Sequence, residues 1–469
     1  MPPRHLDRLT AVDASFLHQE NPDSHMHVGA LVLAEGPVPP YEEFLDSIRR
    51  RLHLVPRYRQ RLAFPPANSG RPLWIDDTDF KLEYHVSYTA LPGPGSHEQL
   101  MQLCARVFSQ QLDRSKPLWE MWLVEGLDDG SFGLLTKTHH AMIDGIAGVD
   151  LATVLFDLAP DPTPIDEDLD PWVAEPTPNP VELLSAGVTA MGQSSASLTG
   201  KALTALRNPE RALQDARVAA EGIGEIAWAG LNPAPPTPLN VAIGPHRRFA
   251  GVICELADFK AVKDAFGGTV NDVVLAVVAG ALRHWLQARG VRTEGLELRA
   301  LVPVSVRTDD QRGDGGNRIA AMRGPLPVWV EDPVARLGVV RAAMDDLKQS
   351  KQAIGAEVLA NVQNFAPPTV LAQASRINFS TRLFNLLVTN VPGPQFPLYV
   401  QGREMRSVFP IAFLPKNHAL AIAIMSYNGQ MNFGLLGDYD AMADLDEFGL
   451  SIEGAIAELV ALADRSVST

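Results

Sequence analysis

The stretch that decides the fold lies at residues 132–145 and reads FGLLTKTHHAMIDG. Its first part, 132–140, is suited to an extended strand, and the apolar residues of 146–158 recur at helical spacing until Pro160 ends the pattern. We therefore expect two adjacent histidines, His139 and His140, at the junction of a strand and a helix.

These two histidines cannot do the same job, because successive side chains of a strand point to opposite faces. An imidazole has an ordinary pKa of about 6.5, which suits a general base near neutral pH. One histidine can therefore face a channel as a base while its neighbour packs or makes a structural hydrogen bond. The alternation of side chains along the strand does not by itself decide which histidine is the base.

A packed core histidine and a metal ligand are the alternatives for this pair. His140 and Asp144 could share a helical face, but no third ligand lies nearby at a recognisable spacing. We therefore expect no metal site. The two cysteines, Cys104 and Cys254, are too few for a disulfide framework, which fits a reducing compartment.

The chain on both sides of this stretch alternates predicted strands and helices, which is typical of an α/β fold. Strands are predicted at 27–33, 119–124, 249–256, 298–306, 386–390, 419–426 and 430–434, and helices at 41–52, 270–287 and 334–347. Residues 161–180 are rich in proline and acidic side chains and predict a linker. We expect an N-terminal domain at 1–160, a linker and helical crossover at 161–244, and a second domain at 245–469.

Composition and charge narrow the function. The 469 residues are 46% hydrophobic and 20% charged, as in ordinary globular proteins, and the length predicts two substantial domains. A formal charge of -15 argues against nucleic-acid binding, which needs a basic face. No export signal is visible, and the longest apolar stretch, 273–282, is too short to span a bilayer. We expect a cytoplasmic protein that does not span a membrane and that contacts lipid, if at all, at the membrane surface.

A basic cluster stands out on this acidic chain. It consists of Arg49, Arg50, Arg51, Arg57, Arg59 and Arg61. The cluster predicts either a solvated helix face or a surface that attracts anionic groups such as lipid headgroups or the phosphates of a ligand.

The histidine run resembles the His-His-x-x-x-Asp-Gly signature of the chloramphenicol acetyltransferase-like superfamily, and its surroundings resemble the bacterial wax ester synthase/diacylglycerol acyltransferase family. The blocks that carry this resemblance are LTAVDASF at 9–16, MHVG at 26–29, PLWE at 117–120, GPHRR at 244–248, TVNDVVLA at 269–276, VPVSVR at 302–307, NVPGP at 390–394 and SYNG at 426–429. Their order is the family's, and they cover nearly the whole chain.

The resemblance implies two chloramphenicol acetyltransferase-like domains, each a mixed sheet with flanking helices, and an active-site channel between them. It makes His140 the general base, which takes the proton of an alcohol as that oxygen attacks the thioester of an acyl-CoA. His139, Asp144 and Gly145 are then structural, and Asp144 pairs with an arginine, for which Arg307 is the natural candidate.

Asn271 is the candidate donor to the oxyanion of the tetrahedral intermediate. Thr269 and Asp272 form a capping box, so a helix should begin at Val270 and place Asn271 in its first turn, where the helix dipole is positive. The alternative for Asn271 is simple capping or packing. The resemblance supports a role near the active site.

Two further residues are candidates for substrate contact. Ser305 shares a face of its predicted strand with Arg307. Trp119, in the PLWE block, lies near the acyl site by the resemblance, although core packing is the other role open to it.

The function implied is esterification of diacylglycerol with a long-chain acyl-CoA to give triacylglycerol, by direct transfer. No cofactor is expected, since acyl-CoA is a substrate, and no protein partner is implied. A wax ester synthase acting on fatty alcohols, a condensation-type acyltransferase with another acceptor, and a catalytically silent lipid-binding protein are the alternatives. Peripheral contact with the inner membrane face or with lipid droplets would bring the enzyme to its substrates.

Overall fold

The computed structural model describes residues 7–66, 70–142, 155–161, 172–185, 232–305, 319–349 and 380–467. Most of the predicted linker and crossover, and the part of the predicted helix at 146–158 that precedes residue 155, lie outside these ranges.

Fifteen strands and seven helices are defined within the described ranges. The strands are β1 (Asp7–Arg8), β2 (His27–Ala34), β3 (Gln60–Ala63), β4 (Leu73–Asp76), β5 (Val86–Ala90), β6 (Trp119–Glu125), β7 (Phe132–His139), β8 (Arg247–Glu255), β9 (Leu298–Ser305), β10 (Ile319–Leu326), β11 (Leu386–Pro392), β12 (Tyr399–Val400), β13 (Arg403–Ile411), β14 (Leu420–Tyr427) and β15 (Gln430–Asp438). The helices are α1 (Ala11–Gln19), α2 (Tyr41–Arg51), α3 (His97–Phe108), α4 (Leu256–Phe266), α5 (Val270–Ala288), α6 (Pro333–Gln349) and α7 (Leu445–Val467). The strands and helices predicted within the described ranges are confirmed, with ends that shift by a few residues.

Two six-stranded mixed sheets carry the architecture. The first has the order β12-β13-β2-β7-β6-β5, with β5 parallel to β6 and the other neighbours antiparallel. The second has the order β10-β9-β11-β14-β15-β8, with β11 parallel to both β9 and β14. A small third sheet has the order β1-β4-β3. The predicted α/β class with two mixed sheets is confirmed.

The first sheet is completed by a strand from the far end of the chain. β13 pairs antiparallel with β2, with Val408 opposite Val32 and Ile411 opposite Gly29. The range 245–469 therefore contributes strands to both sheets, so sheet membership does not follow the predicted division of the chain. The boundaries at 160 and 244 stay predictions.

Glycine lets the two sheets approach each other where β13 lies against β15. A Cβ atom at Gly434 would stand 1.8 Å from the carbonyl oxygen of Pro410, so any larger residue would force these strands apart. This close approach joins the second sheet to β13, the strand whose pairing with β2 brings Phe413 to the histidine pair.

Helix α5 is the core element of the second half. Almost every residue between Asp272 and Leu286 is buried, and the helix packs against α6 and α7. A helix that is apolar on all sides belongs inside a protein core. Within the described ranges no single helix is long and apolar enough to cross a bilayer, and only α4 and α5 together, bent by 102°, have the length and composition for it.

The basic cluster is largely paired with acidic side chains. Arg51 is 7% exposed, and its Nη2 donates to Oδ1 of the equally buried Asp157 at 2.6 Å. On the same helix, Arg49 is half-exposed and pairs with Asp46 and, at 2.9 Å, with Glu83. Arg51 thus anchors the segment that follows the histidine motif rather than contributing to a charged surface.

We expect Arg51→Ala to lower the free energy of unfolding by about 3 to 5 kcal/mol, because it leaves the Asp157 carboxylate buried without its partner. Arg49→Ala is the matched control on the same helix and should cost about 1 kcal/mol or less, since its ion pairs are exposed. Denaturant unfolding of the two variants measures both values. Equal losses would contradict the assignment of Arg51 as the buried anchor.

Candidate active site

His140 begins a single 3-10 turn, His140–Met142, directly after β7. Its backbone N–H donates to the carbonyl oxygen of Met26 at 2.8 Å, so the turn is tied to the start of β2. The ring stacks on Phe16 of α1 with 3.9 Å between centroids, and it meets the edge of Phe413 at 5.5 Å. Residues from both ends of the chain therefore hold this imidazole in place.

The environment keeps the His140 ring neutral. Burial lowers the pKa of His140 to about 4, and the neighbouring His139 acts in the same direction. Its Nδ1 is buried and has no hydrogen-bond partner in another described residue. Nε2 also makes no hydrogen bond within the described chain. In the form that carries its proton on Nδ1, the neutral ring offers the lone pair of Nε2 to a bound hydroxyl group.

His139 faces the opposite side of the chain, as strand parity predicts. It is fully buried, its Nδ1 accepts a hydrogen bond from Ala141 N–H at 3.0 Å, and its Nε2 lies 3.6 Å from Oε2 of Glu20. Both ring nitrogens thus face polar groups of the protein. This geometry supports the prediction of a structural His139.

A buried polar cluster surrounds His139, and the motifs in the sequence do not single it out. Glu20 lies beside Arg114, with 2.8 Å between Oε2 and the arginine Nε, and beside His27, with 3.2 Å between Oε1 and Nε2. His27 is the cross-strand partner of His139. The signal for Glu20 is weak in the sequence, because it stands between two recognisable blocks rather than inside one. His27, by contrast, lies inside the MHVG block.

Asn271 lies where the capping box predicts. Thr269 N–H donates to Oδ2 of Asp272 at 2.8 Å, Asp272 N–H donates to Oγ1 of Thr269 at 3.2 Å, and the helix begins at Val270. Oδ1 of Asn271 accepts a hydrogen bond from Nδ2 of Asn390 at 3.2 Å. This contact turns the Nδ2 donor of Asn271 away from Asn390. Within the described chain no hydrogen bond joins Asn271 to His140, and its role at the oxyanion stays a prediction.

Trp119 begins β6 of the first sheet and packs in its core. It is 2% exposed, its indole N–H donates to the carbonyl oxygen of Tyr58 at 2.8 Å, and it stacks on His85. Core packing accounts for these contacts, and contact with substrate stays a prediction. Ser305 ends β9 opposite Ile319.

Three predicted site residues, Asp144, Gly145 and Arg307, lie outside the described residues. The predicted ion pair between Asp144 and Arg307 therefore stays a prediction. Among the residues that the structure describes, no group of three His, Cys, Asp or Glu side chains is arranged to hold a metal ion. The expectations of no metal and no cofactor also stay predictions.

Comparisons with known proteins decide the family. Residues 9–274 match the model for the wax ester synthase/diacylglycerol acyltransferase catalytic domain, and residues 315–460 match the model for the C-terminal domain of the same family. The chain belongs to this family. It is 36% identical to the probable diacylglycerol O-acyltransferase tgs1 of Mycobacterium tuberculosis over 98% of this chain and 97% of the relative. It is 33% identical to tgs2 of the same organism over 97% and 99% of the two chains.

Solved structures agree with the fold. The wax ester synthase/diacylglycerol acyltransferase of Marinobacter aquaeolei superposes with a TM-score of 0.68 at 29% identity, covering 97% of this chain and 100% of the other. The starter condensation domain of rhizomide synthetase superposes with a TM-score of 0.58 at 15% identity over 98% and 94% of the two chains, a likeness of fold alone. The prediction of a chloramphenicol acetyltransferase-like fold is confirmed.

The lowered pKa of His140 has a consequence for stability against acid. The folded protein resists protonation of His140 down to pH about 4, whereas the unfolded chain binds this proton near pH 6.5. The contribution of neutral His140 to the free energy of unfolding is therefore fully present above pH 6.5, and it is lost as the pH falls from 6.5 to 4. We expect the free energy of unfolding of the wild type to decline across this window, and that of His140→Gln to decline less.

Denaturant unfolding at several pH values measures this difference. The exposed His284, on α5, provides the matched control, because His284→Gln removes a histidine from the surface and should follow the wild-type curve. A His140→Gln curve parallel to that of the wild type would contradict the lowered pKa of His140.

Proposed function

We propose that this protein is a diacylglycerol O-acyltransferase that transfers a long-chain acyl group from acyl-CoA to the free hydroxyl of diacylglycerol and so makes triacylglycerol. The observation that carries the proposal is the match to relatives of this name over nearly their whole length. The geometry of His140 supports it, since a neutral imidazole with an open Nε2 is what direct transfer to an alcohol requires.

The reaction needs one proton carrier. Nε2 of His140 takes the proton of the acceptor hydroxyl as its oxygen bonds to the thioester carbonyl carbon, which gives a tetrahedral intermediate with a negatively charged oxygen. When this intermediate collapses, the carbon–sulfur bond breaks and the proton passes from the imidazolium to the leaving thiolate. The products are an ester and free CoA, and no covalent enzyme intermediate is formed.

Asn271 is the proposed donor to the negatively charged oxygen. Its amide belongs to the first turn of α5, where unpaired backbone N–H groups and the helix dipole favour negative charge. The hydrogen bond from Asn390 supports this role, because it occupies the acceptor Oδ1 and leaves the donor Nδ2 for the substrate.

A wax ester synthase activity on fatty alcohols is the second candidate. The likeness to the Marinobacter protein, whose name includes that activity, favours it. We also propose a cytoplasmic location, with peripheral contact at the inner membrane face or at lipid droplets, because the substrates partition into lipid. A condensation-type activity has no comparable support, since the condensation domains share only the fold.

We expect His140→Ala to lower the rate of CoA release by at least about two orders of magnitude, the usual worth of a general base. The measurement is thiol release from palmitoyl-CoA with diacylglycerol, on protein whose folding is checked by circular dichroism. His139→Ala should act mainly on the fraction of protein that folds. A folded His140→Ala variant with a near wild-type rate would show that another group is the base.

The donor preference tests the lipid branch of the proposal. Each buried methylene group contributes about 0.8 kcal/mol, so a site for long acyl chains should favour palmitoyl-CoA over acetyl-CoA by more than about tenfold, even after part of the gain is lost to chain ordering. Initial rates with donors of increasing chain length decide this. A maximum at acetyl-CoA, or no ester from either diacylglycerol or a fatty alcohol, would overturn the proposed function.

A further inference from the structure

The carboxylate of Glu20 is buried beside the histidine pair without belonging to the proposed chemistry. Glu20 directly follows α1, its backbone N–H donates to the carbonyl oxygen of Phe16 at 3.1 Å, and its side chain is 3% exposed. Burial alone would raise the pKa of this carboxyl, but the contacts with His139 and His27 lower it well below its ordinary value. Glu20 is therefore ionised, and a buried negative charge this close to the motif calls for an explanation.

Two positive side chains near Glu20 come from other parts of the chain, Arg114 from the segment between α3 and β6 and Lys137 from β7. Arg114 donates through Nε and Nη2 to Oε2 at 2.8 and 2.5 Å, and its Nη2 also donates to the carbonyl oxygen of Leu17. Lys137 of β7 is buried and bonds to two backbone carbonyl oxygens near the end of α3 and to Glu120. The end of α1 is thus fixed to Arg114, between α3 and β6, and Lys137 places a second positive charge within electrostatic reach of Glu20.

The contact between Glu20 and His139 selects one form of the imidazole. Because Nδ1 of His139 accepts the hydrogen bond from Ala141 N–H, the ring proton belongs on Nε2, which lies 3.6 Å from Oε2 of Glu20. That distance is too long for a hydrogen bond, so the carboxylate acts through its charge. A buried negative charge favours an N–H group over a lone pair at this distance.

The Ala141 hydrogen bond is also part of the turn that carries His140. Ala141 follows His140 in that 3-10 turn, and the bond spans His140. If His139 adopted the other form, with its proton on Nδ1, this acceptor would be lost. On the other side of His140, the ring of Phe16 is placed by the same end of α1 that Glu20 anchors.

We propose that Glu20 is a positioning residue, whose carboxylate holds His139 with its proton on Nε2 and so fixes the turn and the aromatic ring that orient His140. The proposal rests on the proposed role of His140 as the base. In this role Glu20 does not contact the substrate. Loss of its charge should therefore lower kcat and leave KM nearly unchanged.

The test removes the negative charge of Glu20 and keeps the size and shape of its side chain. Glu20→Gln should lower kcat by about 10- to 100-fold, the usual worth of a group that orients a functional imidazole, and leave the KM for palmitoyl-CoA within about twofold. The control is Asp444→Asn, because Asp444 also accepts from Nε and Nη2 of an arginine, Arg289, where α5 ends and α7 begins, away from the histidine pair. This control should keep the wild-type kcat.

A second readout separates positioning from general loosening of the fold. Nitrogen NMR of protein labelled at its histidine side chains, with His139→Gln used to assign the signal, reports which ring nitrogen of His139 carries the proton. We expect Nε2–H in the wild type and in Asp444→Asn, and a shift toward Nδ1–H or mixed forms in Glu20→Gln. This readout does not need catalysis, so an inactive wild type would sink the proposed function while the assignment of Glu20 is still decided by the spectrum.

Two results would overturn the proposed role of Glu20. Wild-type kcat in folded Glu20→Gln, or a reduced kcat with the His139 signal unchanged, would show that Glu20 does not act through His139. If Glu20→Gln does not fold, Glu20→Asp decides the matter. That variant keeps the charge but moves the carboxylate away from His139 by one methylene, so it should show a smaller shift of the His139 signal in the same direction and a smaller loss of kcat, and an unchanged spectrum would refute the proposal.

Discussion

The pairing of β13 with β2 is the contact on which the site depends. Through it, a strand from the last quarter of the chain becomes part of the first sheet, and Phe413 reaches the ring of His140 just beyond the strand end. On the other side of β2, the pairing with β7 sets His27 opposite His139. The turn at His140 is therefore held by a backbone hydrogen bond to Met26, just before β2, and by the ring of Phe413, just after β13.

Much of the local structure can be predicted from the sequence, because it depends on short-range patterns. The alternation of apolar residues predicts β2, β6 and β7, and the capping box at Thr269 predicts the first residue of α5. The histidine motif is recognisable because its members lie within a few residues of one another. Its position at the end of β7 follows from the same local pattern.

The contacts that complete the site are long-range, and no local pattern predicts them. Glu20 and Arg114 are separated by 94 positions, and neither lies in a conspicuous motif. The role of β13 is hidden for the same reason, since its residues predict a strand but not which sheet the strand joins. The basic residues of α2 show the opposite case, because their proximity in sequence predicts a charged face, yet Arg51 turns inward to Asp157.

Because β13 comes late in the chain, the first sheet can be completed only late in synthesis. During synthesis the first sheet emerges with the edge of β2 unpaired until residues 403–411 leave the ribosome, and β2 is an apolar strand. An unpaired apolar edge is a template for pairing with other chains, so the nascent first half is exposed to intermolecular pairing for most of translation. The same dependence means that a chain interrupted before β13 retains the histidine pair but lacks the aromatic wall that Phe413 supplies. The aromatic contact with His140 thus forms only after residue 413 has been synthesised.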